Sequence, residues 1–315
     1  MSKRIEIVTP QLVTRYAGRW NLKVMRPDGR IREELDFKNM ILNSGLDQLC
    51  SNAGNVGQAI VVGSGNTAPV ATQTQLAALV ATQSQGSSPY YTDQLQATAP
   101  YYGTSVVTRQ FAVGAAAGNL TEIGLCNGAN QTSQPLFSRA LILDGLGQPA
   151  ALTVLSDEIL IATHYCRQYV PTTDVNGVVN ISGVNYNYTI RAAECTSANS
   201  GFRRVLDPLS MRQRQGGEVG FSASTQTLGP ITGIPAGTAS TVLSAQFTVG
   251  GYTAGNYYRD ITMNCPIGSM NSAGGIGSIV INTTRGSYQM SFTPVIPKDA
   301  TKILQLVWRF GVARL

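Results

Sequence analysis

The chain offers one histidine for acid–base chemistry, His164, two residues before Cys166 in the stretch ILIATHYCRQY. On a strand these two side chains share a face but stand about 7 Å apart. That is too far for direct proton transfer, so a structural histidine is the better reading. A single histidine also rules out a multi-histidine metal site within one chain. The five cysteines, Cys50, Cys126, Cys166, Cys195 and Cys265, are at least 29 residues apart, so no CxxC pair exists. They read as buried, reduced thiols acting as small hydrophobes. The stretch GSGNTAP, with Gly63, Gly65 and Asn66, superficially suggests a phosphate loop. It lacks the GK[ST] ending and runs into Ala68-Pro69 rather than a helix, which points to a tight loop closing a strand. Glycoside hydrolysis needs two facing carboxylates. The acids here are scattered, and after Glu218 only Asp260 and Asp299 remain.

Basic residues are the other candidate. GFRRVLDPLSMRQRQ carries Arg203, Arg204, Arg212 and Arg214 against Asp207 alone. Phe202 is its one aromatic and the net charge is only +6, so nucleic-acid binding is disfavoured. Contact with an acidic surface of a neighbouring subunit is favoured. Charged residues make up 13% of the 315 residues, about half of the roughly 25% usual in soluble domains. Arginine outnumbers lysine 18 to 5, and no lysine stands between Lys38 and Lys298. A guanidinium is weakly hydrated and tolerated at interfaces where an ammonium is not, so much of this surface is expected to be covered by neighbours. MSKRIEIVTP lacks the apolar core of a signal peptide, and no stretch reaches 18 apolar residues. Synthesis in a cytosol without membrane insertion is the expectation.

Strands are the elements that must position these residues. Trp20 to Met25 and Ile31 to Phe37 flank Pro27-Asp28-Gly29 and predict a hairpin. Lys38 to Cys50 has helical spacing, and TQTQLAALVATQ has room for one helical turn. Strand patterns follow at Ala59–Gly63, 105–113, 120–126, 136–143, 151–155 and 159–170. The second half continues with 178–195, 220–226, 241–249, 257–263, 278–283, 288–292 and a last strand at 302–312. The predicted class is mainly β: one or more antiparallel β-sandwiches with an N-terminal hairpin and one or two short helices. The predicted domains are 1–171, for attachment and assembly, and 172–315, with long Gly- and Tyr-rich loops.

Four stretches, in order, carry a resemblance: FKNMILNSGLDQL; IVVGSGNTAPVATQTQLAALV; LTEIGLCNG with LFSRALILDGLGQPAALTVLSDEILIATHYCRQY; and YQMSFTPVIPKDATKILQLVWRFGVARL. This order resembles tailed-bacteriophage virion proteins of the tail-fibre or tail-structural type, over about residues 20–170 and 285–315. The ending GVARL departs from the aromatic-rich terminus of that group. The resemblance implies a non-enzymatic virion subunit without cofactor or metal, made in the host cytoplasm. It implies a tail-associated protein (fibre, baseplate or collar) that forms a symmetric homo-oligomer, docks to other virion proteins and contributes to binding a host cell-surface receptor. A capsid decoration or head/neck collar protein is the alternative, and a host-glycan-degrading enzyme the second. Arg203, Arg204, Arg212 and Arg214 are then the candidate subunit-interface residues.

Overall fold

A computed structural model describes residues 3–51, 56–84, 92–212, 221–237, 240–242 and 246–315. Strands take up 53% of the described residues and helix 4%. The first half contains β1 Lys3–Met25, β2 Ile31–Ile41, helix α1 Asn43–Cys50, β3 Ala59–Gly63, β4 Leu79–Ser84, β5 Thr92–Gln96 and β6 Tyr102–Gln110. It continues with β7 Gly118–Leu120, β8 Glu122–Cys126, β9 Leu136–Leu141, β10 Leu152–Val154 and β11 Ile159–Tyr169. The second half contains β12 Val175–Ile181, β13 Val184–Ala192, a 3₁₀ turn at Gly201–Arg203, β14 Phe221–Ser224, β15 Ser240–Val242 and β16 Phe247–Val249. β17 Tyr258–Cys265, β18 Ile276–Thr283, β19 Gly286–Ile296 and β20 Lys302–Arg314 complete it.

A 12-stranded sheet contains the path β16-β17-β20-β1-β2-β9-β8-β3-β4, with β11, β6 and β5 branching from β1. A six-stranded sheet has the order β12-β13-β19-β18-β14-β15. The large sheet doubles back on itself because β2 pairs with β1 through Asn39 and then with β9 at Met40 and Ile41. Trp20, Leu22, Leu160 and Ala162 from one layer thereby meet Ile60, Ile123, Leu125 and Phe137 from the other. In a second core Ile261, Leu304, Leu306 and Trp308 of the large sheet meet Ile190, Ile281, Met290 and Phe292 of the six-stranded one. The architecture is sandwich-like, as the alternating strands predict.

β1 serves both cores. Ile5, Ile7 and Leu12 lie in the second, and Tyr16, Trp20, Leu22 and Val24 in the first. Its first half pairs with β20 in parallel, from Lys3 opposite Lys302 to Tyr16 opposite Arg314, whereas the other strand pairs of the described residues are antiparallel. Inward-facing positions switch from odd to even at Thr9-Pro10-Gln11, where the register shifts. Pro10 has no N–H to give the ladder, and the Thr9 hydroxyl accepts from the Arg309 amide at 3.1 Å. The sequence pattern starts this strand at Trp20; the phase flip hides the preceding residues. Two further expectations are corrected. Lys38 to Ile41 completes β2 instead of opening the helix, and the helical turn sought in TQTQLAALVATQ gives way to β4. The 178–195 pattern divides into β12 and β13, joined by Ser182 and Gly183, both at positive φ.

Where the cores meet, the β18–β19 turn delivers Arg285, whose side chain is fully buried. Its guanidinium donates to the Tyr16 hydroxyl and to the carbonyls of Val205 and Asp207, and its own carbonyl accepts from the Thr14 hydroxyl at 3.0 Å. The 3₁₀ turn is seated beside it by close approach. A Cβ on Gly103 of β6 would stand 1.8 Å from the Phe202 carbonyl oxygen, whereas one on Gly145 would meet nothing. Gly103→Ala therefore has to push backbone away and is expected to lower unfolding free energy by about 1–3 kcal/mol. Gly145→Ala is expected to stay within about 0.5 kcal/mol of the parent, as read from urea midpoints.

Candidate interaction surface

The residues with chemical potential in the sequence are taken up by the fold. His164, on β11, is completely buried, with Nε2 2.7 Å from Asn39 Nδ2 and 3.2 Å from Ser138 Oγ and its ring edge-on to Trp20. Burial pulls its pKa down to about 3, so the ring is neutral at ordinary pH. Burial pushes the Cys166 thiol up, so no thiolate forms beside it. All five cysteines are buried and free. Among the described residues no group of three or more His, Cys, Asp or Glu is arranged to hold a metal, and no helix is long and apolar enough to cross a membrane.

GSGNTAP is indeed a loop closing β3, and its Gly65 amide, together with the amides of Ala77 and Ala78 farther along the chain, is already occupied by an anion from the chain itself. Glu122, on β8, accepts from the backbone N–H of Gly65 at 3.0 Å, Ala77 at 3.1 Å and Ala78 at 2.8 Å. Arg139, on β9, adds Nε at 3.0 Å and Nη2 at 2.6 Å, both side chains being fully buried. The same guanidinium reaches Thr67 O at 2.9 Å and Gln73 Oε1 at 2.8 Å, tying the loop down at two further points. Gly65 is required because a Cβ there would lie 2.4 Å from Glu122 Oε1. Burial opposes ionisation of Glu122, but the Ala78 amide and the Arg139 guanidinium outweigh it and hold its carboxyl below 4.5.

The Arg203–Arg214 segment meets acidic groups of its own chain. Arg204 Nη1 lies 2.9 Å from Asp93 Oδ2 on β5, and Arg203 Nη2 lies 3.5 Å from the Asp93 carbonyl oxygen. Arg212 faces Asp207 at 4.0 Å, and its backbone N–H bonds to Asn282 O. Arg203 and Arg204 are thus brought together on one aspartate, Arg212 is placed apart, and Arg214 lies outside the described residues. Other carboxylates are likewise matched to guanidinium groups: Glu158 to Arg32, Asp174 to Arg191 and Asp260 to Arg309.

A different cationic surface remains open. Arg15 lies opposite both Ala313 and Tyr169, so β20 and β11 flank β1 on opposite edges. From Gly18 onward β2 takes over the edge that β20 leaves. At this changeover a cleft of about 540 Å³ opens, lined among others by Arg19, Lys38, Arg167, Tyr165 and Tyr169 and by no acidic side chain; Arg314 also lines it, but its guanidinium is held by Ile41 O and Asn43 Oδ1. The Arg19 guanidinium lies 4.7 Å from the centre of the Tyr165 ring, and that of Arg167 lies 4.5 Å from the Tyr102 ring. Arg19 also faces Asp36 at 3.3 Å in a half-exposed pair. A guanidinium placed over a ring is steadied by it, and its donors suit carboxylate or phosphate oxygens.

Comparisons with protein-family models, with curated proteins and with solved structures return no match.

The cleft therefore has to be judged by its own chemistry. Sequence reasoning passed over it because its cations are dispersed among β1, β2, β11 and β20. A period-two reading of the outward positions Tyr165, Arg167 and Tyr169 would have exposed part of it.

Two substitutions separate these structural roles. Glu122→Gln strands the buried Arg139 charge and is expected to cost about 3–5 kcal/mol in denaturant unfolding. His164 is charged in the unfolded chain below its ordinary value of 6.5 and neutral in the fold down to about 3. The unfolded state binds more protons across that window, so this residue lowers stability by up to about 1.4 kcal/mol per unit as pH falls, and no further below it. His164→Gln cannot titrate and is expected to flatten that part of the stability profile.

Proposed function

We propose that the chain is a non-enzymatic structural subunit of a tailed-bacteriophage virion, associated with the tail as a fibre, baseplate or collar component. In this reading it assembles as a symmetric oligomer and docks to other virion proteins. The observation that carries the reading is the Glu122 junction. GSGNTAP, LTEIGLCNG and LFSRALI, three of the motifs in which the sequence resembles that group, are joined through one buried carboxylate. The stretches on which that resemblance rests therefore pack as one structural unit in this chain. Further support comes from the carboxylates paired with arginines and from the neutral, buried His164, which make these groups building material rather than catalysts.

The cationic cleft supplies the docking contact, taking oxyanions of a neighbouring virion protein or of a host cell-surface receptor. Lys38→Glu combined with Arg167→Glu reverses two charges there without entering the core. The double variant is expected to fold with less than about 1 kcal/mol lost. Its incorporation into particles, or the adsorption of particles carrying it, is expected to fall by about tenfold or more. Normal incorporation together with normal adsorption would overturn the role of the cleft. A reconstruction of the particle with this chain off the tail axis would overturn the tail assignment. Light scattering that finds a monomer at every concentration, binding no virion component, would overturn the structural reading itself.

A further inference from the structure

Sheet edges carry unpaired N–H and C=O groups and are usually guarded by shortness, charge, proline or a bulge. The edges of the large sheet follow this rule. β16 is three residues long, β4 meets a register shift at Val62/Gly63, and β5 carries Asp93. β12 does not. Its seven residues, VNGVVNI, contain no charge and no proline. They pair with β13 from Val175 opposite Ile190 to Ile181 opposite Val184 without a register shift. Among the described residues no strand pairs with the other side of β12.

The side chains along this edge are arranged symmetrically. Val175, Val179 and Ile181 are half-buried and pack against the second core, with Gly177 between them on the same face. Asn176, Val178 and Asn180 point outward, and Val178 is 59% exposed. The two asparagines are held in place from β13: Asn176 Oδ1 accepts from the Thr189 hydroxyl, and Asn180 Nδ2 donates to Asn185 Oδ1, both at 2.7 Å. Reversing the strand about Val178 exchanges Asn176 with Asn180 and Val175 with Ile181, so polar positions map onto polar and apolar onto apolar. Such an edge is complementary to itself in antiparallel orientation, which is the requirement of an isologous twofold contact.

We propose that β12 is a self-pairing edge through which two copies of this chain join their six-stranded sheets antiparallel, with Val178 opposite Val178 of the second copy. This rests on the oligomeric reading given above and adds the interface and its register. The pairing completes the open hydrogen bonds of the edge and covers Val175, Val179 and Ile181, which one copy leaves half-exposed.

Disulfide trapping on the full-length chain tests it. Paired antiparallel residues lie within the Cα separation that a disulfide spans, so Val178→Cys is expected to give covalent dimers under mild oxidation. The parent chain, whose five cysteines are buried, and Leu146→Cys, at an 87% exposed loop position, are expected to remain mostly monomeric on the same gel. Register is read by mixing chains carrying Asn176→Cys with chains carrying Asn180→Cys. The mixture is expected to cross-link, and each chain alone is not. Val178→Lys sets two ammonium groups face to face and is expected to raise the dissociation constant of self-association by about tenfold or more without unfolding the chain. Oligomers in solution with no cysteine trapping at 178 would overturn this edge while leaving the oligomeric reading in place. A monomer at all concentrations would overturn both.

Discussion

Arg285 is a guanidinium buried at the meeting point of two hydrophobic cores, and the arrangement of the halves depends on how it is satisfied. Taking such a charge out of water costs several kcal/mol unless its donors are matched. Here Nη1 and Nη2 are matched by the Tyr16 hydroxyl and the carbonyls of Val205 and Asp207, while Nε is left without a partner among the described residues. Those acceptors belong to β1 and to the segment after the 3₁₀ turn, so the turn, the strand and the β18–β19 hairpin must all be in place together. Burial keeps the Tyr16 and Tyr288 phenols protonated, so each can act as a donor as well as an acceptor around this point. β1 completes the coupling by lending one side of itself to each core in turn.

Charge is spent internally in the same way elsewhere. The loop that superficially suggested a phosphate site turns its Gly65 amide to Glu122, and Arg139 then pins its Thr67 carbonyl. The arginines at 203 and 204, which a sequence reader assigns to a neighbour, close on Asp93. With 13% charged residues in the chain, these internal uses leave a sparsely charged exterior on which the cationic cleft stands out. The arginine excess thus has two structural sources: guanidinium groups that tie loops from inside, and a smaller set, Arg19 and Arg167 among them, laid on tyrosines at the surface.

The fold was legible where local chemistry decides it. Pro27-Asp28-Gly29 marks its hairpin, Ala59–Gly63 is a strand with the bounds its apolar run suggests, and the strand series places most later elements within a few residues. Legibility failed where a phase changes or partners are remote. The odd-to-even switch at Thr9-Pro10-Gln11 erased the alternation of β1, and Ser182-Gly183, lacking the Asn-Gly signature, let a hairpin pass for one strand. Met40 and Ile41 have helical spacing to Leu46 and Leu49, yet β9 recruits them into a sheet. For the sites, the burial of His164 and of the cysteines followed from the apolar strands around them. The Glu122 junction did not, because its amides come from residues 65, 77 and 78 and its cation from 139, and no spacing rule connects them. The cleft is a product of strand order alone, arising only once β20 and β2 share one edge of β1.

The parallel ladder between β1 and β20 also fixes an order of events. Lys3 to Tyr16 find their neighbours at Lys302 to Arg314, nearly the whole chain away, so on the ribosome the first strand emerges long before its mate exists. The later part of β1 can settle against β2 as soon as the hairpin is made, while Ile5, Ile7 and Leu12 wait with their apolar side chains uncovered until translation reaches the last strand. Loop closure over that span is slow, and the waiting segment is exposed to wrong partners in the meantime. The final strand therefore acts as a latch that locks the first one, and the second core stays open until synthesis reaches it.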